Sequence, residues 1–477
     1  MNELKDFVIT RKGILKEYKG EDINVIIPDS VKRIEANAFY KKEIESVLIP
    51  EGVVSIGSMA FNGCEKLTEI VLPNTVTSIE EYAFAHCINL MHVTMSSRVV
   101  NVGKNIFFNC NSLVYNEYGN GYYVGDDQNP YYMFVKPKEK RLDTCEFSQA
   151  MKVIAGEKTL FSDNWQLNTM VLPYGLISIG DGAFESCEEL AEVVIPEGVI
   201  SIGQAAFYGC KSLTRITVPD SVASIGKDSF AYCECLVSVK MGEKLTVIAN
   251  GAFSHCLSLR SIVLPAGVTD IGTEAFGYCK ELSEIKWSKN LINIGYSAFW
   301  GCAFTSIIIP QGVKTVGYKA FEGCVSLKKL VIPKSVEKIK GAIIYCPMLD
   351  DIEISIDESS IQMIERINSD EFNSTDLIIY ALDGSVVMLR PKYQMCALKG
   401  FADAYFKKME WVHKSKEMHE EIVKKNTKKV QQIALQDEEV LRLILLEKWF
   451  NKKDIEMYLN NIENIELRAI LLECVEH

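Results

Sequence analysis

The groups with which this 477-residue chain could do chemistry are 6 histidines, 15 cysteines and 63 acidic residues, and their spacing argues against most of it. His86 and His255 share one position of a recurring phrase but lie far apart in the chain, while His413 and His419 are six residues apart, which on a helix points them to different sides. No His-Glu-x-x-His pair and no nucleophile elbow occurs. Serines recur before an Ile-Gly pair, at Ser55, Ser78, Ser178, Ser201 and Ser224, yet no histidine or lysine accompanies them as the base a nucleophile needs. Gly119, Gly121 and Gly125 have neither the spacing nor the following helix of a phosphate-binding loop. Asp126-Asp127 and Asp350-Asp351 fall in loops or at strand edges, where solvation accounts for them. The residues thus predict a non-enzyme, with no catalytic, cofactor-binding or metal-ligating set.

Eleven of the cysteines stand three residues after an aromatic or its replacement Ile343, from Cys64, Cys87 and Cys110 to Cys324 and Cys346. One per repeat is not a disulfide pattern; it is that of a small, buried, nearly apolar thiol. Cys233 and Cys235 come nearest to metal-ligand spacing, but Cys233 belongs to the row.

The elements that must position these groups follow from the period. Phenylalanines fall at 39, 61, 84, 107, 161, 184, 207, 230, 253, 276, 299 and 321, in steps of 22 or 23 except for the 54 residues between Phe107 and Phe161. A period of 20 to 29 in a leucine-rich frame predicts a repeat solenoid of the leucine-rich-repeat class. In the coil from Leu190 to Cys210, Leu190, Val193 and Ile195 alternate as a strand that Pro196 ends. Val199, Ile202, Ala206 and Phe207 line the other side, and Gly203 supplies a tight turn or a close backbone approach. The short polar residue before Ile-Gly reads as a hydrogen-bonded ladder at a turn.

In this Ile-Pro-x-x-Val-x-x-Ile-Gly-x-x-Ala-Phe-x-x-Cys frame the chain resembles the BspA-type leucine-rich-repeat proteins over residues 7 to 350. The resemblance implies a right-handed coil with a parallel sheet along one side, and adhesion or host-surface binding where members are exported. The corner proline is missing at Ser96, Gly242 and Ser288, and the glycine is replaced at Glu80 and Ala249. The reading places an N-terminal cap at 1–28 and the solenoid at 29–392, with an insertion at about 114–158 and a C-terminal cap at about 350–392. The caps are expected to be a hairpin from Phe7 to Tyr18 and one turning at Asp383-Gly384. The insertion, rich in tyrosine, is expected to form a small sheet beside the solenoid. From Ala397 the period becomes helical, so 393–477 is read as a small α-helical domain; its stretch from Lys407 to Lys429 carries a net charge of +4 (eight lysines, four glutamates).

The net charge of −12 argues against a nucleic-acid partner. No stretch has the length and apolarity of a signal peptide or membrane span, which predicts a cytoplasmic protein as written, with the cell surface or secretion as the alternative. A protein or peptide is the expected partner. The strand residues that point outward make one column with Glu69, His92, Glu192, Arg215, Glu284 and Lys329, and a second, largely β-branched column that includes Lys240 and Lys286. The second column can reflect strand propensity or an extended binding face, and both readings stand. In the insertion, Tyr122, Tyr131 and Tyr132 are candidates to bind a peptide or a glycan, with packing of the small sheet as the alternative. An effector or enzyme acting through the helical tail is the rival reading.

Overall fold

A computed structural model describes residues 4–139, 145–156, 168–333, 335–339, 342–343, 346, 351–354, 379–381 and 386–387. Phe161 and the proposed helical domain lie outside these residues. The chain divides into two compact units, Met1–Phe304 with Gly317–Val325, and Thr305–Val316 with Ser326–His477.

In the first unit each coil contributes two strands. The segment before the corner gives a three-residue strand such as Glu192–Val194, whose pattern of exposed, buried, exposed follows from side-chain alternation. The Ser-Ile pair gives a second strand of two residues, such as Ser201–Ile202. The row of short polar residues is therefore a strand position rather than a turn, and its members pair in parallel register from coil to coil, Ser178 with Ser201 and Ser201 with Ser224. The hydroxyls of Ser178 and Ser201 are 2.9 Å apart, and the Asn293 amide donates to Asp270 at 2.6 Å.

Behind these strands the phenylalanines stack. Phe207 and Phe230 have centroids 5.2 Å apart with planes 3° from parallel, and Phe253–Phe276 and Phe276–Phe299 repeat the arrangement. Burying each ring contributes about 1.5–3 kcal/mol. Tyr18 extends the stack at its start, between Phe7 and Phe39. The residues two before and two after each phenylalanine take left-handed backbone, for example Met59 and Gly63 around Phe61, and Asp228 and Tyr232 around Phe230. The alternation serves hydrogen bonding: the N–H groups of Met59, Phe61 and Gly63 all donate forward to the next coil, to Glu81, Ala83 and Ala85. Most of these positions are not glycine, and each such residue costs roughly 1–2 kcal/mol.

The glycine of Ile-Gly is explained by proximity, not by a turn. A Cβ on Gly57 would sit 2.6 Å from the Ala36 nitrogen of the preceding coil, and no positive φ is involved. At two of the three corners that lack proline, a serine does its work. Ser96 donates to the Val76 carbonyl and accepts from the Arg98 N–H; Ser288 donates to Ala266 and accepts from Asn290.

At the N-terminus, Phe7–Ile9 pairs antiparallel with Ile14–Tyr18, whose Ile14 and Leu15 then pair in parallel with Arg33 and Ile34. The hairpin thus starts the two-residue ladder. The insertion does more than stand beside the coils: Asn116–Tyr118, Gly121–Val124 and Met133–Pro137 form an antiparallel set, and Met133 and Phe134 pair in parallel with Val153 and Ile154. Val153–Ile154 in turn pairs with Ser178–Ile179, so the inserted sheet is hydrogen-bonded into the ladder. In the second unit, Ser306–Ile308, Lys329–Ile332, Asp351–Ile354 and Ile379–Ala381 pair successively in parallel, and Ile379–Ala381 pairs antiparallel with Val386–Val387.

Candidate binding faces

The thiol row is fully internal. Nine of the row's thiols donate to the carbonyl of the phenylalanine one coil back, among them Cys64 to Phe39 at 3.1 Å and Cys256 to Phe230 at 3.2 Å. The sequence reading of an apolar filler missed this donor role, because the acceptor lies 25 or 26 residues away. Burial pushes the Cys64 thiol up to about 12 and raises Cys233 well above its ordinary value, so these groups remain protonated and unreactive. Among the described residues no cluster of three His, Cys, Asp or Glu side chains could hold a metal.

The outward strand residues of the first unit are exposed apart from Thr94, whereas Lys329 of the second unit is half-buried. In parallel register Glu69 faces His92, Thr169 faces Glu192, Arg215 faces Ser238, Thr217 faces Lys240, Ser261 faces Glu284 and Val263 faces Lys286. In the second unit Lys329 lies beside Ser306. The three-residue strands of the first unit hydrogen-bond in pairs, and Thr94 bridges to Gly125 of the insertion, so the sequence column is a series of patches. The first patch is apolar: Ile26, Leu48 and Val71 stand exposed along a trough of about 830 Å3. The next, from Thr169 to Lys286, mixes exposed Val171, Val194 and Val263 with charge.

Some of the cations bordering this face are paired, while Lys244, Lys280 and Lys289 form no ion pair among the described residues. At the bends, Lys66 pairs with Glu43, Lys211 with Glu188 and Arg260 with Glu281, the last at 2.9 Å. Arg215, Lys240 and Lys286 form no ion pair among the described residues. Such unpaired cations beside exposed β-branched residues can meet an acidic group and an apolar side chain of one partner together.

The insertion separates its three candidate tyrosines. Tyr132 is buried and its hydroxyl donates to the carbonyls of Ser97 and Val99, so it is a tether between insertion and coil and not a partner-binding residue. Tyr131 is half-buried, edge-on to Tyr118 and Tyr123. Tyr122 lies against Tyr115, and the Lys136 ammonium sits over both rings, 4.7 Å from Tyr115 and 5.9 Å from Tyr122. Sequence reading passed over another aromatic set, one ring per coil just after the phenylalanine: Tyr208, Tyr232, His255, Tyr278 and Trp300. Tyr232 and His255 stack at 4.3 Å, and His255 and Tyr278 at 4.8 Å, so these rings largely cover one another's faces. Their signal, an aromatic alternating between two adjacent repeat positions, blurs when only one position is compared.

Two-strand coils, a stacked phenyl core and close glycine contacts define a β-solenoid of the leucine-rich-repeat class. The chain belongs to the family described as BspA type leucine rich repeat region, whose model matches in six copies over residues 19–123, 156–283 and 269–391. Among solved structures it is similar to a leucine rich cell surface protein from Faecalibacterium prausnitzii, with 25% identity, 77% of this chain and 96% of that one covered and a TM-score of 0.35. It is also similar to leucine-rich repeat proteins from Bacteroides ovatus (24%, 77% and 95%, 0.42) and Eubacterium ventriosum (20%, 66% and 92%, 0.34). No curated protein matches the chain significantly in sequence. Among the described residues no helix is long and apolar enough to cross a membrane.

Proposed function

We propose that the chain is a non-enzymatic binding protein that recognises another protein or a peptide through the outward face of the three-residue strands from Thr169 to Lys286. The observation that carries this reading is a set of three exposed strand cations, Arg215, Lys240 and Lys286, that form no ion pair among the described residues. Val171, Val194 and Val263, each exposed to 51% or more, supply apolar area beside them. A partner suited to this face is extended and carries carboxylates spaced among apolar side chains.

A photo-crosslinking residue at Val194 or Val263, introduced into the whole chain, tests the reading. A protein trapped there must then bind the purified chain, with affinity lowered at least about tenfold by Arg215→Glu with Lys240→Glu, since like charges across an interface repel. Equal trapping from Tyr174, an exposed corner residue, or binding indifferent to the charge reversal, defeats it.

A further inference from the structure

The insertion leaves a seam in the two-residue ladder. Strand Asn101–Val102 pairs with Ser78–Ile79 and is the last of its sheet, while Ser178–Ile179 belongs to another sheet and pairs with Val153–Ile154. The two coils meet where the Asp181 N–H donates to the Val102 carbonyl at 2.9 Å, and where Lys104 pairs with Glu185. A cleft of about 510 Å3 opens at this seam, with Ser78, Glu81 and Asn101 contributed by one sheet and Asp181, Ser201 and Ser224 by the coils of the other. Its volume lies within the range of small-ligand pockets.

The lining mixes polar and apolar groups in about equal measure, and Lys227, its one basic residue, and Lys104 beside it are both next to acidic groups. Lys104 is held by Glu185, Lys227 lies 3.6 Å from Asp228, and Glu80 is held by Arg33 and by the Ser58 N–H. Two carboxylates remain. Asp181 accepts from the Gln204 N–H through Oδ1 alone, and the Glu81 carboxylate is exposed with no hydrogen bond or ion pair among the described residues. Burial raises the Asp181 pKa against the opposing Gln204 N–H and Lys104 charge, so this carboxylate gains from a hydrogen-bond donor brought by a ligand. An acidic ligand meets like charge here, and no three-residue metal cluster exists among the described residues. Hydroxyls and an amide that both donate and accept, beside carboxylates that only accept, match a ligand rich in hydroxyls.

We propose that this cleft binds a neutral carbohydrate, whose hydroxyls donate to Glu81 and Asp181 and exchange hydrogen bonds with Ser78 and Asn101. The site is separate from the strand face and stands or falls independently of it. Saturation-transfer NMR on the whole chain tests it with four probes: maltotriose, N,N'-diacetylchitobiose, glucuronic acid and calcium chloride alone, the last read as a thermal shift. The expected result is binding of at least one uncharged sugar, weakened about tenfold by Glu81→Gln and by Asp181→Asn and unchanged by Arg215→Glu, as loss of a charge-assisted hydrogen bond requires. Glu81 is exposed, so its substitution leaves folding intact, and Asn at 181 keeps the acceptor for Gln204. Failure of both neutral sugars to bind overturns the proposal, as does binding that neither substitution weakens. A stronger response to glucuronic acid, or a shift with calcium alone that Glu81→Gln abolishes, overturns it as well.

Discussion

The phenylalanine side of each coil and its outward strand side obey opposite rules. On the first, coil after coil on either side of the insertion repeats the same device: a ring stacked at 4.8–5.9 Å on the next, a thiol donating to the carbonyl behind it, and left-handed residues that aim N–H groups at the following coil. On the second, backbone pairing is retained but the side chains vary, from Glu69 and His92 to Arg215, Lys240 and Lys286. The difference teaches that the repeat's fixed residues account for folding, and that what the repeat leaves free is available to the recognition proposed above. A substitution should therefore cost stability on one side and binding on the other.

The largest expected effect breaks the core side. Phe230→Ala, in the middle of the stack, should lower unfolding free energy by about 3–5 kcal/mol, whereas Val194→Ser on the outward face should change it by less than about 0.5 kcal/mol. Chemical denaturation followed by circular dichroism checks both; similar losses would erase the distinction. The thiol row gives the next effect. Folded Cys64 holds its proton up to about 12 against an ordinary value of 9.0, so the folded state binds more protons between these limits. Stability from this group is intact below pH 9 and falls as pH rises towards 12, the sign for a raised pKa. In native protein at neutral pH a thiol reagent should modify exposed Cys235 and reach the ladder cysteines only on unfolding.

Smaller effects sharpen the comparison. Ser229 replaces the usual small apolar residue before a phenylalanine, and its hydroxyl is buried without a partner, so Ser229→Ala should stabilise by about 1 kcal/mol. Glu274 has φ of 52°, and glycine there relieves strain but loosens the unfolded chain, for a net gain of roughly 0.5 kcal/mol. Thermal unfolding of each single variant measures these gains; a loss with Glu274→Gly would mean that this left-handed position is not strained, and a loss with Ser229→Ala that its hydroxyl contributes to the fold.

The core was legible in the sequence because each coil restates it: Phe, Cys, Gly and Ile-Pro occur at one spacing and each has a packing or backbone reason. Alternation within Glu192–Val194 likewise told which side chains face outward. Other features depend on relations between coils and were not legible. The serine before Ile-Gly reads alone as a turn residue, yet it lies in a strand because its neighbour 23 residues away pairs with it. Ser96 and Ser288 look like defects until their hydroxyls are seen holding the corner. Tyr132 reads as one of several aromatics that either bind or pack, and the carbonyls that hold it lie 33 and 35 residues upstream. The seam cleft requires knowing that the insertion takes a place in the ladder.

The most direct test of the division between the two sides is a single protein, Arg215→Glu with Lys240→Glu and Lys286→Glu, measured for denaturation midpoint and for binding of the partner trapped at Val194. The account predicts stability within about 0.5 kcal/mol of the parent, as surface changes away from packing features give, together with loss of binding. A destabilised protein, or one that is stable and still binds, would contradict it.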